Sequence, residues 1–86
     1  MTVQVADYYP LLKTAIAEAR AAGLEPAVSE LEAQVFAAYT TSSELLAEHG
    51  IAILQFLRSQ GQSVPVSVAE KLNQCLKEIR KVWPNL

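Results

Sequence analysis

The sequence predicts an all-α protein, a small antiparallel bundle of about four helices. A chain of 86 residues is long enough for one domain only. Apolar side chains recur at spacings of three and four, and signals for the start or end of a helix separate four such segments. The predicted helices span about residues 7–22, 26–39, 43–60 and 67–82, and residues 1–6 form a loose N-terminal arm. The whole chain, 1–86, is therefore expected to be a single helical domain.

The first helix is bounded by a polar cap and a glycine. Asp7 precedes Pro10 at the distance expected of an N-cap, because proline is tolerated in the first turn of a helix. Gly23 is placed to end the helix, with Leu24 packing back on it. Between these signals one face is apolar: Tyr8, Leu11, Leu12, Ala15, Ile16 and Ala19.

The second helix is predicted from a capping box and an apolar stripe. In the box, Ser29 would accept a hydrogen bond from the amide of Glu32, whose side chain would reach back to the cap. The stripe consists of Val28, Leu31, Val35 and Tyr39, with Phe36 beside them.

The third helix is predicted to begin after a break at residues 40–43. Four consecutive hydroxyl residues precede Glu44 there, and Thr41 to Glu44 fit a second capping box. The alternative is one long central helix over about 27–60, because hydroxyl residues are only mildly unfavourable inside helices. That alternative would give three helices completed by dimerisation. We favour the break, and we expect the third helix to be the most buried because apolar residues cover more than half of its circumference.

The fourth helix is predicted from a third capping box, Ser67 to Glu70. Gly61 ends the preceding helix, and Pro84 ends this one. Its apolar stripe is Val68, Leu72, Cys75, Leu76, Ile79 and Val82 or Trp83.

Composition indicates a cytoplasmic protein that associates with itself. Apolar residues make up 51% of the chain, but thirteen of them are alanine, so few side chains are large enough to build a core. A homodimer is expected because a small core leaves a monomer marginally stable. The sequence contains neither an apolar run that could span a bilayer nor a signal-peptide pattern. The single cysteine, Cys75, cannot form an internal disulfide, which suits a reducing compartment.

The residues that could carry chemistry are few, and we expect no enzyme. His49 lacks a carboxylate at helical spacing that would orient its ring, so we expect a half-buried, hydrogen-bonded histidine. Cys75 lies on an apolar stripe, where a free cysteine usually packs as a small hydrophobe, although a Cys75–His49 dyad is conceivable. Glu44 and Glu48 share a helix face, but an exposed acidic first turn explains the pair. The sequence predicts no metal, cofactor or small-molecule substrate.

A further alternative is a carrier-type domain or small enzyme centred on Ser43, His49 or Cys75. The segment around Ser42 and Ser43, which opens a helix before Glu44, resembles the modified serine of acyl carrier domains. The Asp that precedes this serine in carriers is replaced here by Thr41 or Ser42. The resemblance implies a modified serine and covers only these few residues.

Charge and aromatic residues favour a non-catalytic module that binds a protein partner or itself. Residues 1–57 carry seven acidic and two basic side chains, whereas residues 58–86 carry two and five. The basic residues of the last helix are candidate contacts, together with two aromatic residues: Lys71, Lys77, Arg80, Lys81, Tyr9 and Trp83. They could dock on an acidic protein surface, such as the Glu-rich second helix of a second copy. Nucleic-acid binding by the basic helix is the alternative, which is less favoured because four bases are few.

Overall fold

The computed structural model describes residues 8–86, and it confirms the all-helical fold class. Four α-helices follow one another, with a short 3₁₀ turn at Gly61–Ser63: α1 (Tyr9–Ala21), α2 (Ala27–Val35), α3 (Ser42–Gln60) and α4 (Val66–Ile79). The residues described contain no strand. The predicted N-terminal arm and the predicted cap Asp7 lie outside the described residues. In residues 8–86, no helix combines the length and apolar character needed to cross a bilayer.

The helices pack as two antiparallel pairs. Glu18 near the end of α1 meets Ser67 and Lys71 near the start of α4. Gln34 near the end of α2 donates a hydrogen bond to Glu48 in the first half of α3. The α3–α4 and α1–α2 contacts then join the two pairs into one bundle.

Helices α1 and α4 bury the same pattern of positions. Along each helix the buried residues are separated by four, three, one and three positions, which places them on one face. In α1 they are Tyr8, Leu12, Ala15, Ile16 and Ala19, and in α4 they are Val68, Leu72, Cys75, Leu76 and Ile79. Together with the buried residues of α2 and α3, these residues form a single core.

Two of the predicted helix boundaries form as expected. After α1, the amide of Gly23 donates to the carbonyl of Arg20, and the amide of Leu24 donates to that of Ala19. Gly23 has a φ of +82°, so this is the Schellman motif, which favours glycine. Before α3, the Thr41 hydroxyl accepts from the amide of Glu44, while the Glu44 carboxylate accepts from the amide of Thr40. The predicted break at 40–43 is therefore confirmed, and the long central helix is wrong.

The other two capping boxes do not form. Helix α2 begins at Ala27, and the Ser29 hydroxyl and amide both donate to the carboxylate of Glu25. Helix α4 begins at Val66, and the Ser67 hydroxyl donates to Glu18 of α1. In both cases the serine donates to a carboxylate outside the box, which is Glu25 for Ser29 and Glu18 of α1 for Ser67.

Two helices end earlier than predicted, and both ends shape the candidate site. Helix α2 ends at Val35 rather than 39, and the hydroxyl of Tyr39 folds back to donate to the carbonyl of Gln34. Helix α4 ends at Ile79 rather than 82, and the chain then turns toward α3. Leu86 comes to lie against Gly50, where an added β-carbon would be only 2.6 Å from its Cδ1. Gly50 thus leaves room for the C-terminal segment.

Candidate functional site

One end of the bundle gathers most of the aromatic side chains. Because neighbouring helices are antiparallel, the start of α1, the end of α2, the start of α3 and the end of α4 meet there. We call this the aromatic end and define it as residues 8–9, 36–44 and 80–83. Five of the six aromatic residues lie in it: Tyr8, Tyr9, Phe36, Tyr39 and Trp83. Phe56, the sixth, lies in the last third of α3.

His49 lies beneath the aromatic end and joins three helices by hydrogen bonds. Its Nε2 is 2.7 Å from the carbonyl oxygen of Val35, at the end of α2, and its Nδ1 is 2.7 Å from the hydroxyl of Tyr8, at the start of α1. A carbonyl oxygen can only accept, so Nε2 carries the proton and the Tyr8 hydroxyl donates to Nδ1. The side chain is fully buried, whereas the sequence predicted half-burial. The partners that satisfy it are 14 and 41 residues away in the chain, so helical spacing around residue 49 could not reveal them.

The aromatic rings pack around this histidine. Tyr9 stacks on the His49 ring, with centroids 5.5 Å apart and an interplanar angle of 28°. Tyr8 meets the histidine edge-on at 5.9 Å, and Phe36 meets Tyr9 edge-on at 6.1 Å. These are the separations and angles that aromatic pairs prefer. Tyr8 and Tyr9 therefore pack directly on the buried imidazole, and the exposed Phe36 packs on Tyr9.

The surroundings of His49 and Cys75 do not suit nucleophilic catalysis. Burial lowers the pKa of His49, and the hydrogen bond to Val35 offsets only part of this effect. Burial also raises the pKa of Cys75 to about 11, so its thiol is protonated at neutral pH. Both ring nitrogens of His49 already have partners, which leaves none for the Cys75 thiol. The conceivable Cys75–His49 dyad is therefore not assembled. Burial raises the pKa of Tyr8 as well, which keeps its hydroxyl a hydrogen-bond donor.

The two predicted aromatic contacts both lie at the aromatic end. Trp83 folds back, and its indole N–H donates to the carbonyl of Ser43 at 2.9 Å, yet 40% of the residue stays exposed. Tyr9, a candidate contact that does not belong to the predicted apolar face of the first helix, stacks on His49 and is half-buried. The structure thus brings Tyr9 and Trp83 to the same end of the molecule.

The four predicted basic contacts are less available than the sequence suggested. Lys71 binds Glu18 of α1, Lys81 binds Glu78, and the Arg80 Nε donates to the carbonyl of Leu86. Within residues 8–86, Lys77 alone of the four makes no hydrogen bond or ion pair. The acidic second helix is partly neutralised too, because Arg20 binds Glu32 of α2 as well as Glu25, which precedes the helix.

Sequence patterns missed two apolar residues that the structure exposes. Phe36 was assigned to the core of the second helix but is 41% exposed, because α2 ends before it and turns its side chain outward. Val82 was a candidate for the stripe of the fourth helix but is 49% exposed beyond the end of α4. Of the large apolar residues that the described chain exposes, Phe36, Val82 and Trp83 lie at the aromatic end, whereas Ile51 and Val66 lie elsewhere.

Two cavities between helices of the described chain are small. One of about 150 Å³ lies between α2 and α3 and is lined by Leu31, Ala52 and Phe56 among others. One of about 230 Å³ lies between α1 and α4, beside Tyr8 and Gln74. Both fall below the roughly 300–1,000 Å³ that small-molecule sites occupy. Among residues 8–86, no three His, Cys, Asp or Glu side chains come together as a metal site would require.

Comparison with known protein families, curated proteins and solved structures finds no match to this chain. The interpretation of the aromatic end therefore depends on its own geometry.

Proposed function

We propose that the chain is a non-catalytic interaction module that binds a protein partner, or a second copy of itself, through the aromatic end. The observation that carries the proposal is the exposure of Phe36, Val82 and Trp83 together at that end. Aromatic residues are enriched among the side chains that dominate binding at protein interfaces. A cluster of exposed apolar side chains with polar residues around it is typical of such a surface.

The exposed aromatic side chains of the aromatic end are held in place by neighbouring residues, and this supports a role in binding. Tyr9 stacks on the hydrogen-bonded His49, Phe36 packs against Tyr9, and the Trp83 ring is fixed by its bond to Ser43. Side chains that are already ordered lose little conformational entropy when a partner covers them, and this favours affinity. A reducing, cytoplasmic location suits the proposal because Cys75 is a buried free thiol.

Matched substitutions at the two ends of the bundle test the proposal. Phe36→Ser removes an exposed apolar side chain from the aromatic end, and Val66→Ser removes one that is 73% exposed at the start of α4, which lies at the other end. Each variant is tagged, chemically cross-linked to its neighbours in the cells that make the protein so that weak complexes are retained, purified, and analysed for co-purifying proteins by quantitative mass spectrometry. Circular dichroism checks that both variants remain helical.

We expect at least one protein, or an untagged copy of the chain, to co-purify equally with the wild type and Val66→Ser. Its recovery with Phe36→Ser is expected to fall by about tenfold or more, the effect of losing a central aromatic contact. Equal recovery of every co-purifying protein with Phe36→Ser would contradict the proposal.

A further inference from the structure

We infer that the partner at the aromatic end is a second copy of this chain, placed by a two-fold axis that sets Glu44 of one copy opposite Lys81 of the other. This inference rests on the proposed function and adds the identity of the partner and the charge pairs that orient it.

The aromatic end carries opposite charges on its two sides. The side formed by the start of α3 and the preceding loop bears Glu44, with Glu48 one turn further along the helix. Burial raises the pKa of Tyr39, and the nearby carboxylates of Glu48 and Glu44 raise it further. The side formed by the end of α4 bears Lys77, Arg80 and Lys81, and one acidic residue, Glu78, so that this side is basic overall. Trp83 lies at the boundary between the two sides, because it extends from the basic segment to the carbonyl of Ser43, next to Glu44.

This arrangement is complementary to itself. In a two-fold dimer the same surface of both copies forms the interface, so a residue on one side of the axis meets a residue from the other side. If the two-fold axis lies in the plane of the aromatic end, between Glu44 and Lys81, Glu44 of each copy meets Lys81 of the other copy. The dimer then contains two acid–base pairs. The same axis places Trp83, which lies at the boundary of the two sides, near the middle of the contact, and the exposed Phe36 lies on the same end of the bundle. A surface with one sign of charge would repel its copy instead.

The charged groups are free to exchange partners. Lys81 binds Glu78, three residues earlier, but the lysine is well exposed, and surface ion pairs of this kind contribute little to stability. The Glu44 carboxylate accepts one hydrogen bond, from the amide of Thr40, and retains further acceptor sites.

The size of the surface predicts a weak, reversible dimer. The molecule measures 36 × 22 × 22 Å. With 19 residues at about 1.5 Å each, α3 alone is roughly 28 Å long, so the long axis follows the helices. A cross-section of 22 × 22 Å offers roughly 480 Å², compared with about 800 Å² per partner in a typical stable complex. Association is therefore expected in the micromolar range or weaker.

Charge reversal, measured by light scattering over a range of concentrations, tests the inference. The wild-type mass is expected to rise from 9.4 kDa toward twice that value as concentration increases, and less so at high salt. Glu44→Lys and Lys81→Glu are each expected to weaken the dimer by about tenfold, because each reversal creates two repulsive pairs in the symmetric dimer. The double variant, Glu44→Lys with Lys81→Glu, restores both attractive pairs and is expected to regain the wild-type affinity.

The possible outcomes separate this inference from the proposed function. A wild type that stays at 9.4 kDa at every concentration overturns the second copy as partner. Single reversals without effect, or a double variant weaker than either single one, overturn the charge pairing and with it the two-fold arrangement. The proposed function itself fails only if Phe36→Ser retains every partner of the wild type, a result obtained in a separate experiment.

Discussion

Lowering the pH below about 6.5 is expected to destabilise the fold through His49. The folded protein holds this ring neutral, because its surroundings are buried and the Tyr8 hydroxyl already donates to Nδ1. In the unfolded chain the ring has an ordinary pKa of about 6.5 and takes up a proton as the pH falls. Since the unfolded state binds more protons, stability is fully present above about pH 6.5 and is lost as the pH falls toward the lower pKa of the folded state.

The slope of the free energy of unfolding against pH gives the size of the effect of His49. One group that is protonated in the unfolded state and neutral in the folded state changes the free energy of unfolding by up to about 1.4 kcal/mol per pH unit. The groups that face the ring add no compensating negative charge: Tyr8 and Tyr9 are phenols, and Cys75 of α4 is a buried thiol near Tyr8. The nearby Glu48 carboxylate is engaged by Gln34 of α2.

Urea unfolding followed by circular dichroism, at several pH values between about 8 and about 5, measures this slope. His49→Gln is the control, because an amide can donate to Val35 and accept from Tyr8 but does not titrate. We expect the variant to lose most of the pH dependence in this window, whereas the exposed carboxylates of Glu18 and Glu25, whose pKa values are lowered by Lys71, Ser29 and Arg20, act only at lower pH. Equal slopes for wild type and His49→Gln would refute the buried neutral histidine.

Three further perturbations follow from the structure. Thr41→Ala removes the cap of α3 and is expected to cost about 1 kcal/mol, whereas Ser67→Ala, which removes no cap, costs less than about 0.5 kcal/mol in the same urea titration. Gly50→Ala forces Leu86 aside, because the new β-carbon would lie 2.6 Å from its Cδ1; we expect the C-terminal segment to loosen and the fluorescence of Trp83, the single tryptophan, to shift to longer wavelength. Cys75, with a buried thiol whose pKa is raised to about 11, is expected to react with a thiol reagent only at the rate of unfolding, and fast labelling of the native protein would contradict its place in the core.

Local patterns predicted the helices, because local interactions decide much of helix formation. The apolar stripe of α1, that of α4 as far as Ile79, and the glycine at position 23 are features of single segments, and the structure bears them out. Two of the three capping boxes failed, because a serine at such a position binds whichever carboxylate is near. Ser67 binds Glu18, 49 residues away, and no pattern within one helix encodes that partner.

The candidate site was harder to predict because it is assembled from four helix ends. Tyr9 and Trp83 were identified as aromatic contacts, but their proximity depends on the antiparallel packing of the helices. Phe36 was assigned to the core because it directly follows the buried Val35, and its exposure depends on the early end of α2. The partners of His49 depend on the same packing, so the sequence indicated a hydrogen-bonded histidine without indicating to what.

Site-specific photo-crosslinking tests the central proposal, that the aromatic end is the binding surface, most directly. A photoreactive amino acid is placed at position 36 or 82 at the aromatic end, and at position 66 as the control, since all three side chains are exposed. After irradiation in the cells that make the protein, we expect a discrete protein adduct from positions 36 and 82 and none from position 66. Adducts from position 66 alone, or equal adducts from all three positions, would contradict the assignment of binding to the aromatic end.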